Sequence, residues 1–205
     1  KSLLQEALSE VVADTFNMIT VDGDTSTNDT CLLLANGLAG NTPITEKNEA
    51  YEVFVKALNF VNEYLAKQMA GDGEGATALF EVKIVGAETK EQAKVLSKSV
   101  ITSSLTKAAI YGHDANWGRI LCAIGYSGAK VDVTRVDVVF KSAKGEIKVC
   151  ENGSGVPFSE EIAKEILLEK EIEILVELNS GAAASTAWGC DLTYDYVKIN
   201  GDYRT

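Results

Sequence analysis

Apolar side chains recur about every three or four residues in several stretches of the chain, the spacing at which they share one face of an α-helix. In the longest stretch the apolar stripe begins at Ala50 and ends at Met69, and Gly71 follows as a helix stop signal. A Ser or Thr with Gln three residues later opens two of the stretches, at Ser2 and Thr89, which is the pattern of a capping box. The spacing predicts helices from Ser2 onwards, over 45–69, over 89–102, over 117–124 and after Ser159.

Alternation of apolar and polar residues, which is typical of half-buried β-strands, marks other stretches. It occurs on both sides of the turn residues 143–145, and this arrangement predicts a β-hairpin. The apolar run at 31–35 is too short for periodicity to distinguish a buried strand from the start of a helix, so both interpretations stay open. Strands are predicted over 17–21, 77–85, 131–140, 147–150, 171–178 and 191–199.

Together these elements predict an α+β fold with helices layered against a sheet. Strands dominate from about residue 130 onwards, whereas helices dominate before it. The change of texture predicts two lobes, with a boundary between residues 103 and 128.

Composition and charge narrow the class of protein. With 205 residues, 46% hydrophobic and 24% charged, the chain can bury a core without disulfides or metals. A net charge of −11 opposes binding to a phosphate backbone, so we expect no nucleic-acid partner. No apolar run approaches the length of a membrane span, so no membrane partner is expected. Four cysteines without a CxxC pair, at positions 31, 122, 150 and 190, predict buried free thiols rather than a zinc ribbon.

The polar loop over 22–29 has the density of Asp, Ser, Thr and Asn that invites a calcium-binding interpretation. An EF-hand loop that starts at Asp22 needs Gly at position 27 and Glu at position 33. The chain has Thr27 and Leu33 there, which excludes an EF-hand. A turn whose side chains bond its own backbone is the favoured interpretation.

The glycine-rich string over 71–75 (GDGEG) resembles a phosphate-binding loop only superficially, because the required Lys is absent and a strand follows where a helix should. A helix C-cap followed by a turn explains its glycines. Glu74 stands between two of them, and such bare flanks allow a ligand to approach its carboxylate closely. The single histidine, His113, could serve as a general base beside Asp114, but a turn or surface histidine is the favoured interpretation.

Five strings, spread in order along nearly the whole chain, resemble hallmark strings of the ornithine acetyltransferase (glutamate N-acetyltransferase) family. Any one of them is weak, but their combination is specific, and it matches the β chain of that family. The strings lie at 17–29 (NMITVDGDTSTND), 71–77 (GDGEGAT), 114–119 (DANWGR), 187–194 (AWGCDLTY) and 199–205 (INGDYRT).

The resemblance implies a precursor that cuts itself before a Thr, which then becomes the N-terminal nucleophile of the β chain. It implies a layered α/β sandwich of the self-processing N-terminal-Thr type, to which residues 1–110 contribute a part shared with the α chain. Residues 111–205 would form a smaller C-terminal α/β domain whose tail returns to the active site. Two αβ pairs would assemble into a cytoplasmic α2β2 heterotetramer.

The implied reaction is acetyl transfer from N2-acetyl-L-ornithine to L-glutamate by a ping-pong acetyl-Thr mechanism in arginine biosynthesis. Some members also accept acetyl-CoA as donor, and no bound cofactor or metal is expected. Glu74, Asn200 and Thr205 match the family's substrate-binding residues. The nucleophilic Thr would lie ahead of Lys1, so no catalytic residue is expected within the chain. An amide hydrolase with an N-terminal nucleophile and a non-catalytic subunit are the alternatives.

Overall fold

The computed structural model describes residues 1–203, which form one mixed sheet with helices on both of its faces. The α+β class predicted from the pattern is confirmed. The helices are α1 (Ser2–Asp14), α2 (Glu49–Gly71), α3 (Lys90–Thr102), α4 (Ser104–Tyr111), α5 (Trp117–Gly125), α6 (Glu160–Leu167) and α7 (Tyr194–Asp202). The strands are β1 (Ile19–Thr20), β2 (Leu79–Ala87), β3 (Asp137–Ser142), β4 (Gly145–Glu151), β5 (Ser154–Gly155), β6 (Glu171–Glu177) and β7 (Ala183–Cys190).

The order of strands in the sheet is β1-β7-β2-β6-β3-β4-β5. Strand β2 lies inside the sheet, parallel to β6 on one side and antiparallel to β7 on the other. Because β2 precedes residue 110 and both of its neighbours follow it, strands from both sides of the predicted division share one sheet. The division into 1–110 and 111–205 therefore has no counterpart in this sheet, and it stays a prediction about the assembled protein.

The core fills the space between one face of the sheet and the layer of helices that includes α3. Phe80, Val82 and Ile84 alternate along β2 and are fully buried on this face. Leu96 and Val100 of α3 belong to the same apolar cluster. Burial of each large apolar side chain contributes about 1.5–3 kcal/mol, so this contact between β2 and α3 holds the centre of the sheet rigid.

The opposite face of the sheet is polar, and α2 covers part of it. Glu81 of β2 accepts a hydrogen bond from the indole of Trp188 at 2.8 Å and forms an ion pair with Lys67 of α2 at 3.2 Å. Glu173 of β6 is the register partner of Glu81. Burial, reinforced by the charge of Glu81, raises the pKa of the Glu173 carboxyl. Like charges directly opposite each other on adjacent strands repel, so this face contributes less to the pairing of β2 with β6 than the core face does.

An ion-pair cluster fastens α1 to the first turns of α3. Asp14 contacts Lys90 at 2.5 Å and Lys94 at 2.6 Å. Burial opposes ionisation of Asp14, but the hydrogen bonds and charges of the two lysines outweigh it and lower the pKa of the carboxyl. The cluster therefore stabilises the fold while Asp14 is ionised.

All the predicted helices form, but only one of the two predicted capping boxes provides the cap of its helix. Thr89 caps α3 by accepting a hydrogen bond from the backbone of Gln92 at 3.1 Å, so that capping site is confirmed. At α1 the prediction is wrong, because Lys1 is the N-cap and no side chain caps the helix. Ser2 is already helical there, one position too late for its hydroxyl to act as the cap.

Two strand predictions are wrong or shifted. Most of the stretch 191–199 is helical in α7 rather than extended, and the strand β7 precedes it. The first part of the stretch 131–140 is a 3-10 turn over Val133–Arg135, and the strand begins at Asp137. The run at 31–35 forms neither of the two elements that its pattern left open. Helix α4 was not predicted at all.

All four cysteines are free, but only two of them are buried. Cys150 and Cys190 lie in the core, whereas Cys31 and Cys122 are exposed, so the prediction of four buried thiols is half wrong. Cys31 is exposed because it lies in the stretch between β1 and α2, which has no regular secondary structure. Within residues 1–203, no helix combines the length and the apolarity that crossing a membrane requires.

Candidate functional site

Glu74 and Asn200 meet at the surface where the loop between α2 and β2 faces helix α7. We call residues 72–78 the Glu74 loop. The side-chain amide of Asn200 donates to Glu74 Oε2 at 2.7 Å and to the carbonyl of Tyr196 at 3.1 Å. Both Glu74 and Asn200 are exposed, so a ligand can reach them. The structure thus brings together two of the three residues singled out by the motifs. The third, Thr205, lies outside the described residues.

The two glycines beside Glu74 allow the loop to approach its neighbours closely. A Cβ on Gly73 would lie 2.7 Å from Cys190 Sγ and 3.0 Å from Val21 Cγ1. Gly75 has φ +68°, and a Cβ there would lie 2.8 Å from the backbone nitrogen of Tyr196. Protein atoms therefore occupy the space beside both glycines, which the sequence suggested would be open to a ligand. The glycines serve the packing of the loop, whereas the Glu74 side chain is open to solvent.

Hydrogen bonds tie the Glu74 loop to the connection between β7 and α7. Asp191 is buried, and its Oδ1 accepts from the backbone N–H of Thr77 at 2.8 Å and of Ala78 at 3.1 Å. Its Oδ2 accepts from the Thr77 hydroxyl at 2.5 Å. The hydroxyl of Thr193 donates to the carbonyl of Gly75 at 2.8 Å. The loop that carries Glu74 and the helix that carries Asn200 are therefore held by the same few residues.

Tyr196 connects this surface to the polar loop that follows β1. Its hydroxyl donates to Asp22 Oδ2 at 2.9 Å. This bond, together with burial and the charges of Asp22, Asp24 and Glu74, raises the pKa of Tyr196 to about 12. Asp22 also accepts from the backbone of Asp24 at 2.9 Å, as expected of a turn that bonds its own backbone. The polar loop thus braces the surface beside Glu74.

A buried lysine lies beneath the Glu74 loop. Lys107 of α4 is 2% exposed, and its ammonium donates to the carbonyl of Cys190 and lies 3.9 Å from Cys190 Sγ. Burial lowers the pKa of Lys107, against the opposing effect of Cys190, Asp191 and Asp22. Burial also raises the pKa of the Cys190 thiol. The sequence analysis did not predict this arrangement, because α4 was not predicted and a lysine inside a short apolar stretch is the only local signal.

The other candidates lie apart from this surface. His113 has φ +53° in the turn that follows α4, in agreement with the turn interpretation. A cavity of about 530 Å³ lies on the polar face of the sheet, where Lys67, Glu81 and Glu173 line it, and it does not include Glu74. Across residues 1–203, no group of three or more His, Cys, Asp or Glu side chains is arranged to hold a metal ion.

The pair of Glu74 and Asn200 offers two complementary kinds of hydrogen-bonding group. A carboxylate accepts from an ammonium group, and a carboxamide both donates to a carboxylate and accepts from a donor. Amino acids carry both partner groups, so the surface has the chemistry to bind a small zwitterion. The role of Glu74, Asn200 and Thr205 in substrate binding stays a prediction.

Known proteins resemble the chain over its full length. Its 205 residues are 57% identical to the arginine biosynthesis bifunctional protein ArgJ 1 of Clostridium acetobutylicum and cover 50% of it. They are 55% identical to the arginine biosynthesis bifunctional protein ArgJ of Caldanaerobacter subterraneus subsp. tengcongensis and cover 51% of it. The chain thus spans about half the length of the curated relatives it matches.

A solved structure agrees with this match. The crystal structure of the arginine biosynthesis bifunctional protein argJ from Bacillus halodurans superposes with a TM-score of 0.93 at 47% identity, covering 98% of this chain and 93% of that one. The layered fold is therefore that of a solved ArgJ chain. The model of the ArgJ family matches residues 1–205, which include every motif described above. With sequence, fold and motifs in agreement over its whole length, the chain belongs to the ArgJ family.

Proposed function

We propose that the chain is the β chain of a glutamate N-acetyltransferase (ornithine acetyltransferase), which moves an acetyl group from N2-acetyl-L-ornithine to L-glutamate in arginine biosynthesis. Membership of the ArgJ family and the names of the relatives, which are arginine biosynthesis bifunctional proteins, support this proposal. The observation that carries it is the 2.7 Å hydrogen bond between Asn200 and Glu74. Two residues from distant motifs meet there at an exposed surface that suits an amino acid.

The proposed chemistry is a ping-pong pair of acyl transfers. A Thr hydroxyl ahead of Lys1, with its own α-amine as general base, attacks the acetyl carbonyl of acetylornithine. Ornithine leaves with the proton, and an acetyl-Thr ester remains. The α-amine of glutamate then attacks the ester, and the Thr oxygen takes back a proton. Acetyl-CoA, where it is used, donates to the same Thr, and the scheme needs no bound cofactor or metal.

In this scheme, the residues described above bind and orient the substrates. Glu74 accepts from the side-chain ammonium of acetylornithine, which is its free amine because the α-nitrogen carries the acetyl group. Asn200 and Thr205 donate to the substrate carboxylate, and Asn200 gives up its bond to the Tyr196 carbonyl to do so. Binding both ends of the substrate fixes the acetyl carbonyl in front of the nucleophile, and such orientation lowers the barrier substantially.

Exposed apolar side chains support a partner chain. On α2, Phe60 is 75% exposed, and Tyr64 and Met69 are exposed as well. In the irregular stretch between β1 and α2, Leu34 is 88% exposed. Large apolar side chains exposed in this number are typical of a surface that a partner protein covers.

The lengths of the relatives support the same partner. The curated relatives are about twice as long as this chain, whereas the solved chain from B. halodurans has nearly its extent. We therefore include in the proposal an α chain cut from the same precursor. The α2β2 heterotetramer and the cytoplasmic location that the family resemblance implies belong to the same proposal. Size measurement of the full-length protein after cleavage tests the assembly, and a stable, active β chain alone would contradict it.

The experiment uses the full-length protein with Glu74→Gln and, as a matched control, Glu161→Gln on the exposed first turn of α6. We expect Glu74→Gln to raise KM for acetylornithine at least tenfold, a loss of about 1.4 kcal/mol, without a change in melting temperature. The control should behave as the unsubstituted protein. Mass spectrometry after incubation with acetylornithine alone should find one acetyl group on the N-terminal Thr.

Other outcomes would contradict the proposal. Release of free acetate at the same rate with and without glutamate would identify an amide hydrolase. Absence of acetyl exchange in the full-length protein would favour a non-catalytic subunit. Unchanged kinetics for Glu74→Gln would refute the assignment of Glu74 to the substrate.

A further inference from the structure

We infer that Lys107 and Asp191 are positioning residues, which together fix the Glu74 loop against α7 and so hold the Glu74 carboxylate where the substrate ammonium binds. The inference rests on the proposed role of Glu74. Neither residue needs to touch the substrate, because both are buried and act through the loop.

Asp191 gathers the end of the Glu74 loop onto a single carboxylate. It accepts three hydrogen bonds from the loop, two from backbone N–H groups and one from the Thr77 hydroxyl. In addition, its own backbone N–H donates to the carbonyl of Ala78 at 3.1 Å. Hydrogen bonds to an ionised acceptor are roughly twice as strong as neutral ones, and burial protects them from competition by water. The loop is therefore fixed at its C-terminal end.

Lys107 holds the strand end from which Asp191 projects. Its ammonium donates to the carbonyl of Cys190, and its backbone carbonyl accepts from the backbone N–H of Leu192 at 3.3 Å. Helix α4 therefore forms hydrogen bonds with the residues on both sides of Asp191. The ring of Phe80 lies below the ammonium, 5.8 Å from it to the centroid. An ammonium buried without an opposite charge is costly, and Asp191 is the buried carboxylate that accompanies it.

The residues around Asp191 contact both glycines that flank Glu74. Cys190 Sγ lies directly against Gly73, where an added Cβ would be 2.7 Å from the sulfur. Thr193 holds the carbonyl of Gly75 at 2.8 Å. Residues 190–193 therefore support the loop on either side of Glu74. Without that support, a glycine-flanked surface loop samples many conformations, and the substrate would have to order it on binding.

A positioning role differs measurably from mere support of the fold. If Lys107 and Asp191 act through Glu74, weakening them lowers substrate affinity only while Glu74 is present. If they support only the fold, the effect is the same with or without Glu74. Substitution of Thr77 can distinguish these two roles without disturbing the core, because the Thr77 side chain is exposed and contributes one of the hydrogen bonds to Asp191.

The test measures acetyl exchange kinetics in the full-length protein. We expect Thr77→Val, which keeps the shape but loses the hydroxyl, to raise KM for acetylornithine about fivefold with kcat changed less than about twofold. Thr77→Ser, which keeps the hydroxyl, should restore KM to within about twofold of the original. Lys107→Met should raise KM about tenfold or more. Lys98→Met, at an exposed position of α3, is the matched control and should leave the kinetics unchanged.

The decisive readout is a double-mutant cycle with Glu74→Gln. Thr77→Val should add less than about twofold to KM in that background, because the carboxylate that it positions is gone. Effects that multiply fully, a failure of Thr77→Ser to rescue, or an unchanged KM for Thr77→Val would overturn the inference. Should Lys107→Met fail to fold, the Thr77 variants and their cycle decide alone.

The cycle also separates this inference from the proposed function. If Glu74→Gln raises KM but Thr77→Val does not, only the positioning role fails. If Glu74→Gln itself has no effect, the proposed substrate contact fails, and the positioning role fails with it.

Discussion

A methyl group at Gly75 probes how closely the Glu74 loop must approach α7. Gly75→Ala would place a Cβ 2.8 Å from the backbone nitrogen of Tyr196, 2.9 Å from Asp195 Cβ and 3.0 Å from the Asp195 carbonyl carbon. Two of these are backbone atoms at the start of a helix, so they cannot move aside as the end of a flexible side chain could. The φ of +68° adds strain, since only glycine adopts it without cost.

The size of the effect follows from these two terms. A non-glycine residue in the left-handed region costs about 1–2 kcal/mol. Overpacking against atoms that resist displacement costs about 1–3 kcal/mol more. The loop is at the surface and can relieve part of the clash by shifting, at the expense of the bond from Thr193 to the Gly75 carbonyl. We expect a net loss of roughly 2–4 kcal/mol, or a melting temperature of the full-length protein lower by about 2–5 °C, because the entropy of unfolding grows with chain length.

Thermal unfolding and acetyl exchange of the full-length protein measure both consequences of this substitution. A shifted loop moves Glu74 away from Asn200, so KM for acetylornithine should rise at least about tenfold. Gly201→Ala is the matched control, because an added Cβ there meets nothing within 4 Å in the helical backbone of α7. It should leave activity unchanged and the melting temperature equal or slightly higher. If Gly75→Ala behaves like Gly201→Ala, the close packing described for the loop is not what requires glycine at this position.

Three further variants test the electrostatics of the fold and of the site. Tyr196→Phe removes the bond to Asp22, and we expect KM for acetylornithine to rise about threefold; because a pKa of about 12 keeps the hydroxyl a donor, the rise should be the same from about pH 6 to pH 9. Glu173 has a raised pKa beside Glu81. Its contribution to the stability of the fold is therefore fully present below the unfolded-state pKa and is lost as pH rises through the folded-state pKa. Glu173→Gln should raise the melting temperature at about pH 8 and hardly change it at about pH 4. Asp14 has a lowered pKa, so its contribution is present above the unfolded-state pKa and is lost as pH falls through the folded-state value. Asp14→Asn should destabilise the protein by about 1 kcal/mol near neutral pH, because the pair is partly exposed and screened by water. The difference between the melting temperatures of the two proteins should shrink as pH falls below the ordinary carboxyl pKa of 3.8.

The pattern of the sequence predicted those elements whose signals are local. Thr89 caps α3 because its hydroxyl reaches a backbone N–H three residues ahead, an interaction that short-range spacing describes completely. The hairpin of β3 and β4 forms around the predicted turn at 143–145 for the same reason. Such interactions need no partner from a distant part of the chain, so the sequence pattern suffices to predict them.

Elements decided by tertiary contacts were missed. Strand β7 consists mainly of small residues with weak strand preference, and it forms because β2 pairs with it along most of its length. Helix α7 did carry local signals that the apolar pattern obscured, namely Thr193 as N-cap and Asp195 in the first turn. The apolar residues near it, which suggested a strand, remain exposed instead, as Val197 does.

In the candidate site, too, the residues with a local sequence signal were predicted and those that depend on tertiary contacts were not. The motifs singled out Glu74 and Asn200, and the structure joins them by a hydrogen bond. The support beneath them escaped prediction, because the burial of Lys107 and the bonds of Asp191 depend on a contact between α4, β7 and the Glu74 loop. A buried ammonium and an exposed one look alike in a sequence.

The central position of β2 links assembly of the site to completion of protein synthesis. Strand β2 and the Glu74 loop leave the ribosome long before their partners are synthesised. Asp191, which bonds Thr77, follows it by 114 residues, and Asn200, which bonds Glu74, follows it by 126 residues. Contacts of such separation form slowly, and an unpaired central strand is prone to aggregation in the meantime. A chain that stops before β7 leaves one edge of β2 bare and lacks Asp191 and Thr193, whose side chains hold the Glu74 loop by hydrogen bonds. A truncated nascent chain therefore cannot display the Glu74 surface in its finished form.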